Sequence, residues 1–304
     1  MIKRFAIASL ALMALAAPAM AASPRDQLVV STAWLAGHLT DPDLIILQVG
    51  DKPGYDAGHI PGAQLITIAE FSAPPVPDGL TLEMPDPTAL HDRLAAHGVS
   101  DRSRIIVVYG SDGIQSATRL AFTLDAAGLG ARTSLLDGGL GAWKRESRAV
   151  STDVPAVKTA MLSPLKMKAE VVDAAFVKAH LNSPGFSIVD GRAPGFYSGA
   201  QTGGSPAKPQ KSGHIAGAKS MPFSAVTAPG LTLLSSDELT AKFAAAGIKP
   251  GDTVVAYCHV GQQATAALFA ARTLGYNVLL YDGSYEDWAR QDGPVDNPSA
   301  KPAP

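Results

Sequence analysis

The 304-residue sequence predicts two tandem α/β domains, each a mainly parallel sheet flanked by helices. Three observations carry this. Short β-branched runs alternate with helical patterns, as they do where crossover helices join parallel strands and cover both faces of the sheet. The chain is 46% hydrophobic, enough for buried cores, and its length suits about two domains of ordinary size. It also repeats itself. Gly50-Asp51-Lys52-Pro53-Gly54-Tyr55 returns as Gly191-Arg192-Ala193-Pro194-Gly195-Phe196, and Gly58-His59-Ile60-Pro61-Gly62-Ala63 as Gly213-His214-Ile215-Ala216-Gly217-Ala218. Val107 to Gly113 matches Val255 to Gly261, and Leu136-Asp137-Gly138 with Trp143 matches Tyr281-Asp282-Gly283 with Trp288. Ordered matches along both halves point to duplication of one domain.

The chain opens on Lys3 and Arg4, an apolar run Phe5 to Ala17, and Ala19-Met20-Ala21, a small-x-small cleavage pattern. Residues 1–22 therefore read as a secretory signal cut after Ala21 or Ala22. The run is short for a span of about 20 residues, so an uncleaved anchor is the weaker alternative. A periplasmic or secreted protein follows, with no stable membrane association after cleavage. The net charge of −2 and scattered basic residues give no nucleic-acid footprint.

The first domain is placed at 25–150, with strands at Leu44–Val49, Arg104–Tyr109 and Thr133–Leu136. Ser72 to Pro87 carries five prolines and reads as a long loop. A linker follows at 151–165, where Pro155 and Pro164 flank polar residues. In the second domain, 166–292, Asp173 caps a helix through Leu181 and Phe186–Asp190 forms a strand. Ala200 to Gly213 is a polar insertion between landmarks that nearly touch in the first half. Ser236 caps a helix through Ala246, which Gly247 ends. Thr253–Tyr257 is a strand, Ala264 to Leu274 a helix, Val278–Tyr281 a strand, and Ser284 or Tyr285 begins the last helix. The tail, 293–304, is expected to be disordered.

Cys258 is the only cysteine, and it stands where strand Thr253–Tyr257 meets helix Ala264–Leu274. In an oxidising compartment cysteines normally pair; a single one is either a buried core thiol or a thiol kept for reactivity. The joint Cys258-His259-Val260-Gly261-Gln262-Gln263-Ala264 favours reactivity, because a strand–loop–helix turn aims successive N–H groups and a helix N-terminus at its centre. That environment favours the thiolate, the nucleophilic form.

Asp190-x-Arg192 after a strand, Gly213-His214-Ile215-x-Gly217-Ala218, Cys258-x-x-Gly261-x-x-Ala264, and Asp282-Gly283 before Trp288 together resemble the rhodanese family, specifically its two-domain thiosulfate and 3-mercaptopyruvate sulfurtransferases. The resemblance spans nearly all of the mature chain. It implies tandem rhodanese-like domains with an inactive first half, consistent with Gly110 at the position of Cys258 and Val49 at that of Asp190. It also implies that Cys258 thiolate takes the outer sulfur of a small-molecule donor such as thiosulfate, and that a thiol or cyanide acceptor removes it from a Cys258 persulfide. A protein sulfur acceptor is a further possibility. No cofactor or metal is required, since backbone N–H groups from His259, Val260, Gly261, Gln262, Gln263 and Ala264 can hold the anion.

Other residues carry competing readings. Arg192 can bind the donor's anionic end or form a salt bridge with Asp190. His59 and His214 recur in both halves and read as structural, as do Asp282 and Trp288. Gln262 and Gln263 can donate to an oxyanion or face solvent, and His259 can modulate the nucleophile or lie exposed. Thiosulfate-selective relatives tend to have two basic residues after the cysteine, where this chain has His259 and Val260. Mercaptopyruvate-selective ones tend to have Gly-Ser-Gly there and a second arginine, where this chain has Phe196 before Tyr197. Thiosulfate is the default donor; another donor, or a sulfur carrier without rapid turnover, remains open.

Overall fold

A computed structural model of the chain describes residues 23–110 and 113–300. The expected signal, 1–22, lies outside the described residues, as do 301–304. The first half builds a five-stranded, wholly parallel sheet from β1 (Val29–Val30), β2 (Leu44–Val49), β3 (Gln64–Ile66), β4 (Arg104–Tyr109) and β5 (Thr133–Leu136), in the order β1-β5-β4-β2-β3. The second half repeats it with β6 (Val171–Val172), β7 (Phe186–Asp190), β9 (Lys219–Ser220), β10 (Thr253–Tyr257) and β11 (Asn277–Tyr281), in the order β6-β11-β10-β7-β9. A separate antiparallel pair joins β8 (His214–Ile215) to β12 (Val295–Asp296). The tandem α/β architecture read from the sequence is the one present.

Most expected bounds hold to within a residue, and one helix cap and the tail differ. Ser235, not Ser236, caps the helix Ser236–Ala245. Glu238 lies three residues beyond Ser235, and the two close a reciprocal capping box, Ser235 N–H to Glu238 Oε2 at 2.9 Å and Glu238 N–H to Ser235 Oγ at 3.3 Å. The tail is corrected more substantially, because residues 293–300 are ordered rather than disordered. Val295 and Asp296 pair with Ile215 and His214, Trp288 Nε1 donates to the Pro294 carbonyl at 3.1 Å, and Ser299 N–H donates to the Ser198 carbonyl at 2.9 Å. The repeat accounts for this. In the first half Trp143 Nε1 donates to the Ala149 carbonyl at 2.7 Å, and His59 bridges Ser151. The tail is the duplicate of the segment that leads out of the first domain.

The duplicated histidines are structural. His59 stacks on Tyr55 with ring centroids 3.7 Å apart, and His214 stacks on Tyr197, also at 3.7 Å. Each Nδ1 meets that tyrosine's carbonyl, and each tyrosine hydroxyl donates to Ala63 or Ala218. The partner of Tyr55 is thus Tyr197 rather than Phe196.

One apolar cluster is common to both domains, and each domain keeps a second of its own. Helix Gln115–Ala126 of the first lies against helix Ala264–Thr273 of the second, and both are buried nearly all round. Their buried polar side chains find partners across the contact, Thr118 Oγ1 meeting Thr265 Oγ1 at 2.9 Å, while alanines such as Ala117, Ala266 and Ala267 join the buried apolar cluster. Each domain also extends a strap onto its neighbour. From the proline-rich loop, the carbonyls of Asp78 and Gly79 accept from Arg290 at 2.7 and 3.2 Å; in reciprocal fashion Gly230 accepts from Arg145 at 3.0 Å. Arg145 and Arg290 each lie two residues after the repeated tryptophan. Linker residues lie along the first domain, with Ala160 N–H on the Ala95 carbonyl at 2.9 Å and Ser163 Oγ on Asp101 at 2.6 Å.

Candidate active site

From β7 the chain crosses to β9 on one side of the sheet and returns as β10 on the other. The carboxyl ends of β7 and β10 flank this reversal, where open parallel sheets form their binding crevices. Arg192 follows β7 and Cys258 follows β10.

Cys258 is a free thiol with no solvent exposure. Its backbone is held from the Asp282–Glu286 turn: Cys258 N–H donates to Ser284 Oγ at 3.2 Å, and the Cys258 carbonyl accepts from Tyr285 N–H at 3.0 Å. Ser284 has φ +54°, which a non-glycine residue adopts at a cost of about 1–3 kcal/mol. The equivalent position in the first half is Gly139, φ +53°. The half with the cysteine therefore holds a serine in a glycine's conformation, and its hydroxyl reaches the Cys258 peptide. Sequence reasoning assigned Ser284 no role beyond starting a helix; the signal was Asp-Gly-Ser against Asp-Gly-Gly in the repeat.

Beyond Cys258 four of the loop's carbonyls accept hydrogen bonds, two from other segments and two from the helix that follows. His259 O accepts from Glu286 N–H at 3.1 Å, and Gly261 O accepts from Arg119 at 3.1 Å. Gln262 O accepts from Thr265 N–H at 3.2 Å and Thr265 Oγ1 at 2.7 Å, and Gln263 O accepts from Ala266 N–H at 3.1 Å. In a trans peptide the N–H points opposite to the carbonyl. The N–H groups of His259, Val260, Gln262, Gln263 and Ala264 therefore point away from those donors, and among the described residues none has an acceptor. Gly261, φ +80°, lets the loop reverse; a Cβ there would lie 2.8 Å from the Asp282 carbonyl and 2.9 Å from the Arg119 guanidinium.

The side chains differ from several expectations. Arg192 is buried and engaged: Nε and Nη2 grip Asp190 at 2.6–3.1 Å, and Nη2 also donates to the Gly213 carbonyl at 2.7 Å. Its guanidinium lies 3.9 Å from the Tyr285 ring centroid. Burial opposes its charge, but hydrogen bonding and attraction to Asp190 outweigh that and hold its pKa above the ordinary value. The salt-bridge reading of Arg192 is the arrangement present. Tyr285, pushed up to about 12 mainly by burial, keeps its proton at neutral pH.

His259 is neither exposed nor charged at neutral pH. Nδ1 meets Gln210 Oε1 at 2.9 Å, the Phe196 ring stands edge-on at 4.6 Å, and burial, with Arg192 nearby, pulls its pKa down to about 4. Gln262 neither faces solvent nor reaches into the loop; its Nε2 donates to Ser116 Oγ of the first domain at 2.8 Å. Gln263 precedes helix Ala264–Thr273, its Oε1 buried with no hydrogen-bond partner among the described residues. Val260 and His259 line a hollow with Thr81, Lys208, Gln210 and Glu286. The insertion supplies Lys208, whose ammonium contacts Thr81 at 2.9 Å and Glu286 at 3.1 Å.

The rhodanese-like domain profile matches twice, over residues 31–146 and 173–291. The chain belongs to the rhodanese family. Among its relatives in this family, the thiosulfate sulfurtransferase of Corynebacterium glutamicum is 32% identical over 283 residues, 89% of this chain and 90% of that one. A probable 3-mercaptopyruvate sulfurtransferase of Pseudomonas aeruginosa is 30% identical over 272 residues, 86% and 94% of the two chains. The sulfur carrier protein TtuD of Thermus thermophilus is 32% identical over 281 residues, 88% and 96%. Of solved structures, YnjE superposes with TM-score 0.79 at 26% identity, covering 91% of this chain and 70% of that one. EanB with ergothioneine superposes at 0.80 and 23% identity, covering 93% and 73%, a likeness of fold.

Proposed function

We propose that this sulfurtransferase takes the sulfane sulfur of thiosulfate onto Cys258 and passes it to a thiophilic acceptor, a thiol or cyanide. Cys258 thiolate attacks the outer sulfur, the S–S bond of thiosulfate breaks, and its electron pair leaves with sulfite. The acceptor then attacks the outer sulfur of the persulfide and Cys258 departs as thiolate. This is double displacement through a covalent intermediate. The observation that carries the reading is the set of N–H groups at His259, Val260, Gln262, Gln263 and Ala264, turned away from the donors that hold their carbonyls. Such a nest stabilises an anion without a metal.

Thiosulfate is favoured over a carboxylate donor by the surroundings of the loop. Phe196 stands where a carboxylate donor would meet a second arginine, and its ring packs on His259; Arg192, engaged by Asp190, favours neither donor. The likeness to a thiosulfate sulfurtransferase is matched by one to a probable 3-mercaptopyruvate sulfurtransferase, so it supports sulfur transfer rather than one donor. The reading includes export, supported by the basic, apolar and small-residue segments at the start of the chain. Sulfite released from thiosulfate, compared with pyruvate released from 3-mercaptopyruvate, tests the donor. The first is expected to dominate in the wild type and to vanish in Cys258→Ser; dominant pyruvate release would reassign the donor.

A further inference from the structure

We propose that Arg119, in the half without a cysteine, is a positioning residue that fixes the Gly261–Gln262 peptide of the Cys258 loop and so aims the Gln262 N–H at the anion formed there. The proposal rests on Cys258 as the site of sulfur transfer. Arg119 comes from helix Gln115–Ala126 and has no solvent exposure. Nη1 donates to the Gly261 carbonyl at 3.1 Å and to Asp282 Oδ1 at 2.6 Å, while Nη2 donates to the Leu82 carbonyl at 2.6 Å. The other Asp282 oxygen accepts from Met84 N–H at 2.7 Å. One guanidinium thus ties together the first domain's helix, its proline-rich strap and the second domain's loop.

Asp282 balances the charge, so the effect of Arg119 on the loop is one of geometry. By holding Gly261 O outward, Arg119 sets the peptide plane and turns the Gln262 N–H to the opposite side. A planar fork can hold two acceptors in fixed directions, which a lysine ammonium does not. The repeat makes the arrangement one-sided. Counting from Gly110 and Cys258, the residue equivalent to Arg119 is Ala267, whose methyl group offers no donor to Gly113. The arginine serves only the loop that contains the cysteine. Gene duplication alone would leave the two sides alike, so this asymmetry gives the first domain a part in the chemistry.

The test uses the full chain and reads the pH dependence of Cys258 alkylation by iodoacetamide, which needs no sulfur donor. Arg119→Met is expected to raise the midpoint by about one unit and to lower kcat for sulfite release about tenfold with little change in KM. Should that variant fail to fold, Arg119→Lys decides: it keeps a cation beside Asp282 but loses the fork, and its midpoint is expected to rise as well. Tyr109→Phe is the control, removing a domain-bridging hydrogen bond to Leu231 O of 2.5 Å away from the loop, and should leave the midpoint unchanged. A folded Arg119 variant with the wild-type midpoint and kcat overturns the proposal, as does an equal shift in Tyr109→Phe. Failure of wild-type Cys258 to accept sulfur from any donor would instead overturn the reading of the site.

Discussion

Asp190 balances the charge of the buried Arg192 guanidinium beside the end of β7. Asp190 accepts from Arg192 Nε, Nη2 and backbone N–H, and from Tyr257 Oη at 2.8 Å. Removing one partner of such a pair leaves an uncompensated buried charge. Asp190→Ala is therefore expected to cost about 3–5 kcal/mol, read as a lower midpoint in urea denaturation; a change near zero would mean that the pair contributes little to the fold. The motif Asp190-x-Arg192 was legible in the sequence, but its use was not. Whether an arginine two residues beyond a strand faces a ligand or its own aspartate depends on burial, which residue spacing does not report. His259 makes the same point from the other side. Its folded pKa of about 4 lies below the ordinary histidine value near 6.5. The unfolded chain then binds the extra proton between those values, so stability falls as pH drops from about 6.5 to about 4. His259→Gln should flatten that segment of a Tm-against-pH curve; an unchanged slope would show that His259 titrates normally.

At the scale of elements, the insertion Ala200–Gly213 is the clearest departure of one half from the other. It read as a polar surface loop because glycine, proline and lysine dominate it. Folded, it covers the loop that holds the cysteine, with Gln210 on His259 at 2.9 Å and Lys208 bridging to Thr81 and Glu286. Nothing local in its sequence marks those partners, which lie tens of positions away. Strands fared better: β2, β4, β5, β7 and β10 have the bounds read from their apolar runs, since a buried parallel strand has little tolerance for polar residues. If the insertion limits access to the buried thiol, Gln210→Ala loosens its hold on His259 and should speed Cys258 alkylation several-fold at fixed pH, with Tm nearly unchanged. Equal rates would show that the insertion does not gate the thiol.

At the scale of the whole molecule, duplication has produced two sheets that share one apolar cluster between them and each cover another of their own. A single apolar cluster runs from Leu47 and Val107 in the first domain to Val254, Cys258 and Phe269 in the second. The straps cross in both directions, and Asp137 and Asp282, the repeated aspartates, each accept a backbone N–H from the opposite domain's strap, Leu233 at 2.7 Å and Met84 at 2.7 Å. The repeat was plain in the sequence and gave the fold. That its aspartates bridge domains was not, because a repeat compares each half with the other and says nothing of how they meet. Calorimetry should accordingly show one unfolding transition for the full chain; two separated transitions would mean that the domains are stable independently. Whether Cys258 carries sulfur is read directly by intact mass measurement after incubation with thiosulfate. One added sulfur atom is predicted on Cys258, removable by cyanide and absent from Cys258→Ser. A wild-type chain that releases sulfite without gaining sulfur, or a Cys258→Ser chain that gains it, would contradict the account.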